Sequence, residues 1–229
     1  MTSAGASTLA VVIKNRAYRA ATATIYMASD AAKDGTATPA IAGHMHGHMW
    51  RVALQPGDVT GPHDMPIPVL EFAGIFGNYA TFGPSLPSTG VDIVSLTDSL
   101  TSADVLASGR AGAPLMRHVH ARLAALPDFD RLREHSLVEH CYGETNILAD
   151  ADSRGYDNVL RQLCVNLNMH YVRVEPSPLI AELLDQLRAI RRRSAEPGAP
   201  DAPPAAHDGV GPVGNGVRVG EADNPGPPD

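Results

Sequence analysis

At 229 residues and 24.1 kDa the chain can build one substantial hydrophobic core, and it is short for two full domains once its biased C-terminal end is set aside. Hydrophobic residues at 44% and charged residues at 19% are ordinary for a globular protein, and a net charge of −7 excludes a surface that draws nucleic acid by bulk charge. Such a partner needs a local basic patch or metal ions.

Residues 1–20 read as an N-terminal extension that includes one short apolar run, Thr8–Ile13. Ala23–Ala28 is the better strand, with Ile25 and Met27 alternating against Thr24 and Tyr26, and it is expected to end in turn chemistry from Ser29 to Gly35, leaving Asp30 at a strand end. Residues 39–49 and Trp50–Leu54 are expected as further strands of a meander closing at Gln55–Asp58, with Trp50 packed inside it. In such a strand His44, His46 and His48 share one face, where imidazoles could bind zinc; a polar strand edge is the plainer expectation.

After a Pro-rich connection, Val69–Phe82 has helical spacing at Leu70, Ala73, Phe76 and Ala80, and Gly74 and Gly77 mark close packing against a neighbour. Glu71 is expected in the first turn of this helix. Val91–Thr97 alternates as a strand that stops at Asp98, with Ser99, Thr101 or Ser102 capping a short helix. Pro114–Leu126 is amphipathic, with Leu115, Val119, Leu123 and Leu126 as its apolar stripe. Arg117, His118, His120 and Arg122 lie on the remainder and, with Arg110 before them and Arg131 and Arg133 after, form the main basic surface. Ser136–His140 is a short strand.

The stretch GETNILADADSR, residues 143–154, follows. Thr145 or Asn146 can cap a helix that is expected to continue through residue 168. His170–Val174 reads as a strand or an extended segment, and Pro178–Arg193 is a strong helix. Residues 194–229 are Pro, Gly, Ala and acidic residues with too few core formers to offset ordering entropy, so a disordered tail is expected. Cys141 and Cys164 form neither a disulfide framework nor a spaced metal pair. No apolar run reaches the ~20 residues of a membrane span, and no leader is visible in Met1–Ala10, so a soluble, intracellular protein, cytoplasmic or nuclear, is expected.

Asp30, Glu71, Asp98 and Asp150 each stand at an expected strand end or helix start. Acids at such positions can converge although far apart in sequence, and converging carboxylates repel unless a cation sits among them. Mg²⁺ suits such all-oxygen ligands, and two ions ~3.5–4 Å apart can activate a water and stabilise a leaving oxygen. Asp34, Asp92, Asp104 and Asp152 are expected as surface charges.

The strings SDAAKDG, IPVLEFAGIF, SLTDSLTSADVLASGRAGAPLMR and VEHCYGETNILADADSRG, around Asp30, Glu71, Asp98 and Asp150, resemble the ribonuclease H domain of retroelement reverse transcriptases. The last is the most specific, with its His, Gly-Glu, Asn, Ala-Asp, Ser-Arg order. The resemblance covers roughly Ala21–Leu167 and implies an α/β, ribonuclease H-like fold, a mixed five-stranded sheet flanked by helices, in a domain of residues 21–193 that includes the C-terminal helix. It implies that Asp30, Glu71, Asp98 and Asp150 bind Mg²⁺, with Mn²⁺ as a substitute, and cleave the RNA strand of RNA–DNA hybrids. His140 would assist proton transfer or product release, and Asn146 would support the site and the bound nucleic acid. Arg110, Arg117 and Arg122 are placed on hybrid phosphates by position alone. The partner would be an RNA–DNA hybrid, with a polymerase domain outside this chain. The alternative is a catalytically silent, nucleic-acid-binding remnant of the same fold.

Overall fold

A computed structural model describes residues 23–36, 38–87, 91–134 and 136–195. The Thr8–Ile13 run and most of the expected tail lie outside these residues. Six strands form one mixed sheet: β1 (Ala23–Ala32), β2 (Ala40–Met45), β3 (His48–Ala53), β4 (Val91–Thr97), β5 (Ser136–His140) and β6 (Val172–Arg173), in the order β5-β4-β1-β2-β3-β6. β1, β2 and β3 run antiparallel in sequence, whereas β4 is parallel to β1 and β5 to β4. This is the expected mixed sheet flanked by helices, with one strand more than the five expected: β6 adds a short parallel rung beside β3.

Several sequence expectations change. β1 does not end before Ser29; its ladder with β2 continues to Ala32, and Asp30 pairs with Ala42 inside the strand. The meander breaks at His46 and Gly47, whose φ values of 48° and 84° make a two-residue hairpin turn. His44 and His48 therefore lie on different strands with His46 in the turn between them, and the single face of three histidines does not form. Burial lowers the His44 imidazole to about 4, with His46 adding to the shift.

The β3 strand leads into a short helix, α1 (Pro56–Val59). The following helix, α2 (Ile67–Phe82), starts two residues earlier than its apolar spacing suggests, because Pro68 fits the first turn of a helix. Glu71 consequently lies in the second turn, away from the free N–H groups of the helix start. Twelve of the 16 residues of α2 are buried, making it the centre of the core. Its glycines allow that approach: a Cβ on Gly74 would lie 3.0 Å from Ser29 Cβ, and one on Gly77 would enter the Trp50 ring. Trp50 is fully buried, with Nε1 donating to Asn78 Oδ1 at 2.8 Å, while Asn78 Nδ2 donates to the Ala28 carbonyl at 2.9 Å.

Helix α3 (Leu100–Ser108) is capped by Ser99, whose side chain accepts from the Ser102 N–H. Helices α4 (Pro114–Ala124) and α5 (Phe129–Glu134) lead to β5. After β5, α6 (Ile147–Ser153) and α7 (Asp157–Asn166) are two helices where one was expected; Gly155, at φ 73°, turns the chain between them. The last helix, α8 (Pro178–Ala195), packs on α2 and α4.

Alternation along the strands divides the core. Met27, Ile41 and Trp50 face α2 and α8, whereas Met49 packs with Leu148, Ala151, Leu160 and Cys164 of α6 and α7. Two buried acids act as ties between elements. Asp58 of α1 accepts from Arg188 of α8 at 2.9 and 2.6 Å. Asp152, expected as a surface charge, is 1% exposed and accepts two 2.8 Å bonds from Arg173 of β6. Burial pushes its carboxyl up to about 6 against the pull of Arg173. Asp92 is buried as well, whereas Asp34 and Asp104 reach solvent as expected. No helix among the described residues is long and apolar enough to cross a membrane.

Candidate active site

The parallel ladder between β1 and β4 ends at Ala28 and Leu96, while β1 continues along β2. The C-terminal ends of these strands diverge there, opening the kind of crevice in which α/β sheets place ligand sites. Asp30 lies two residues beyond the last β1–β4 rung, and Asp98 directly follows β4. Asp150 comes from α6, packed across β1 and β2, and Glu71 comes from α2 in the other layer.

Asp30, Glu71 and Asp98 each respond to the charge of neighbouring acids. Asp30 is 6% exposed, and burial pushes its carboxyl up to about 6, with Asp98 and Asp150 adding to the rise against the opposing Ser153 hydrogen bond. Burial likewise raises Glu71, with Asp98 and Asp30 contributing and Ser99 opposing. Asp98 is raised by burial and by Asp150, while His140 acts the other way. Asp98 Oδ1 is buried without a hydrogen-bond partner among the described residues, and Gly143 leaves room beside the same carboxylate, since a Cβ there would lie 3.4 Å from Oδ2.

The carboxylates do not close into one coordination sphere. Among the described residues, no group of three or more His, Cys, Asp or Glu side chains could hold a metal ion as placed. The last residue of α6 and its C-cap hold two of the acids instead. Ser153 Oγ lies 2.5 Å from Asp30 Oδ2 and 2.9 Å from the Asp150 carbonyl; its single proton goes to the carboxylate, the shorter and charged partner. Arg154 Nε donates to Asp150 Oδ1 at 2.6 Å. Sequence reasoning assigns neither of these bonds, although Ser153 and Arg154 close the string that carries the resemblance.

The donor set nevertheless suits a hard divalent cation. All four side chains offer oxygen, one carboxylate oxygen of Asp98 is buried and unpartnered, and Asp30 carries a burial strain that a cation would relieve.

His140 ends β5, exposed, with Nε2 3.0 Å from the Asp98 carbonyl and its ring edge-on to Tyr142. Asn146 is 4% exposed and does not face solvent; its amide donates to the Ser29 carbonyl at 3.0 Å, which binds α6 to β1. It makes no side-chain cap at the start of α6. Arg110 and Arg117 are exposed, the latter donating to the Gly112 carbonyl. Arg122 is half-buried and turns toward Glu182 of α8 at 3.7 Å.

No family model matches the sequence, and no curated protein matches it. Four chains of solved structures do. LC11-RNase H1 in complex with an RNA/DNA hybrid is similar at 14% identity and a TM-score of 0.43, over 55% of this chain and 91% of that one. RNase H1 from the halophilic archaeon Halobacterium salinarum NRC-1 is similar at 15% identity and a TM-score of 0.41, over 56% and 92%. LC11-RNase H1 isolated from compost by a metagenomic approach gives 14% and 0.39, over 58% and 97%.

Proposed function

We propose that the chain is a metal-dependent endonuclease that hydrolyses the RNA strand of RNA–DNA hybrids and derives from a retroelement, with a polymerase domain as its natural partner. The observation that supports it is the chain of charge effects among acids from separate elements near where β1 and β4 part: Asp98 and Asp150 act on Asp30, Asp98 and Asp30 on Glu71, and Asp150 on Asp98. These four side chains would hold the ions, Mg²⁺ first and Mn²⁺ as a substitute. Once bound, the ions supply an activated water and stabilise the leaving oxygen of a phosphodiester.

The chain's own residues supply the setting. Asp30 and Glu71 bring carboxylates into partial burial, where attraction for a cation is stronger than in open water. His140, exposed at the rim beside the Asp98 carbonyl, is placed to pass a proton to or from solvent. Arg110 and Arg117 offer charge to phosphates, and a hybrid is distinguished by its 2′-hydroxyls and groove shape.

A second reading is a catalytically silent, nucleic-acid-binding remnant. It is favoured by the ties of Ser153 to Asp30 and of Arg154 to Asp150, which occupy two of the four carboxylates. Hydrolysis of a labelled RNA–DNA hybrid with Mg²⁺, compared with Asp98→Asn, separates the two. Activity lost in the variant supports the nuclease; equal activity in both proteins, or none in either, sinks it.

A further inference from the structure

The helix that carries Asp150 also grips the strand that carries Asp30. Asn146, Asp150 and Ser153 stand at positions i, i+4 and i+7, so the N-cap residue and two residues of α6 share one face. Asn146 donates to the carbonyl of Ser29, and Ser153 donates to the carboxylate of the next residue, Asp30. Two grips on consecutive β1 residues thus bracket Asp150. Asn146 holds backbone alone, whereas Ser153 holds the functional group itself, at 2.5 Å and with no solvent exposure.

A buried carboxylate on a strand can swing about its side-chain torsions unless a neighbour fixes it, and ligand orientation set by such neighbours governs ion affinity. We infer that Ser153 is a positioning residue for the divalent ion: it aims Asp30 at a fixed offset from Asp150, one helical turn away on its own helix. This rests on the ion-binding role proposed above for the four acids.

The test is calorimetric titration of the full chain with Mn²⁺, for wild type and Ser153→Ala, together with ion-free melting of wild type, Ser153→Ala, Asp30→Asn and the double variant in EDTA. Ser153→Ala is expected to bind Mn²⁺ about 10-fold more weakly, the low end of losses seen when a supporting hydrogen bond is removed. Its melting shift should shrink in the Asp30→Asn background, because the partner it serves has changed. A serine that merely packs α6 would give the same melting shift in both backgrounds and leave Mn²⁺ affinity unchanged, and either result overturns the inference while the ion site stands. A wild-type chain that binds no Mn²⁺ removes the ion site and the inference with it. Should Ser153→Ala fail to fold, Ser153→Cys keeps the volume with a weaker donor, and the same direction of loss is expected.

Discussion

Arg154 Nε donates to Asp150 Oδ1 at 2.6 Å, so the fourth acid of the proposed site is already paired with a cation one turn along the chain. Both side chains are more than a third exposed, which limits the pair to at most about 1 kcal/mol. A divalent ion approaching Asp150 competes with this guanidinium.

Arg154→Gln is therefore expected to tighten Mn²⁺ binding, by about threefold at low ionic strength, as follows from an exposed pair of that strength. The gain should fade at high salt, where the exposed charges are screened. Titrations at low and high salt check this. Weaker binding in the variant would mean that Arg154 supports the carboxylate and does not compete for it.

Asp30 gives a prediction whose sign depends on pH. Its folded value of about 6 lies above the ordinary carboxylate value of about 4 in an unfolded chain. Between the two the folded state holds more protons, so stability falls as pH rises from about 4 to about 6 and stays lowered above that. The full loss is on the order of 3 kcal/mol. Asp30→Asn removes the charge and keeps an acceptor for Ser153. In EDTA it is expected to raise stability at pH 7.5 by about 1–3 kcal/mol and to give no advantage at pH 4. Urea unfolding at the two pH values reads this, and an equal gain at both would remove charge burial as the cause.

How far the sequence reaches is clearest element by element. Val91–Thr97 and Ser136–His140 form strands with the expected bounds, and the helix expected over Pro178–Arg193 forms as Pro178–Ala195 with Leu183 and Leu187 of its apolar stripe fully buried. The histidine-rich meander misleads because alternation continues straight through His46 and Gly47, and only the left-handed backbone at both residues marks the turn. Asp152 looks like a surface charge in the sequence because its counter-ion, Arg173, lies 21 positions away on a two-residue strand. The four acids are ordered by the resemblance alone, and their carboxylates do not close into one sphere among the described residues. The bond from Ser153 to Asp30 spans 123 positions and has no local signature.

The close approach of Gly77 to Trp50 predicts that a better helix former destabilises the protein. Alanine is favoured over glycine in a helix by about 1 kcal/mol. At Gly77 its Cβ would enter the Trp50 ring and lie 3.1 Å from Ile180 Cδ1. The ring cannot yield cheaply, being fully buried and fixed to Asn78 on the same helix. Overpacking costs of about 1–3 kcal/mol then outweigh the propensity gain, so Gly77→Ala should lose about 1–2 kcal/mol in urea unfolding. Gly57→Ala, where a Cβ meets nothing within 4 Å, is the control and should stay within about 0.5 kcal/mol of wild type.

The three arginines expected on hybrid phosphates separate by their surroundings. Arg110 and Arg117 are exposed, and the Arg117 guanidinium donates to a backbone carbonyl, which leaves its charge available to a phosphate. Arg122 is half-buried against α8, its charge shared with Glu182 and its Nε buried without a partner among the described residues. Removing one arginine–phosphate pair should flatten the dependence of log K on log salt by about 0.9. With Asp98→Asn as the non-cleaving background, Arg110→Ala and Arg117→Ala are each expected to flatten the slope for hybrid binding by roughly that amount, whereas Arg122→Ala leaves the slope unchanged and lowers stability instead. Hybrid binding measured by fluorescence anisotropy across a salt series decides it. A flattened slope for Arg122→Ala would mean that its side chain leaves Glu182 when nucleic acid binds.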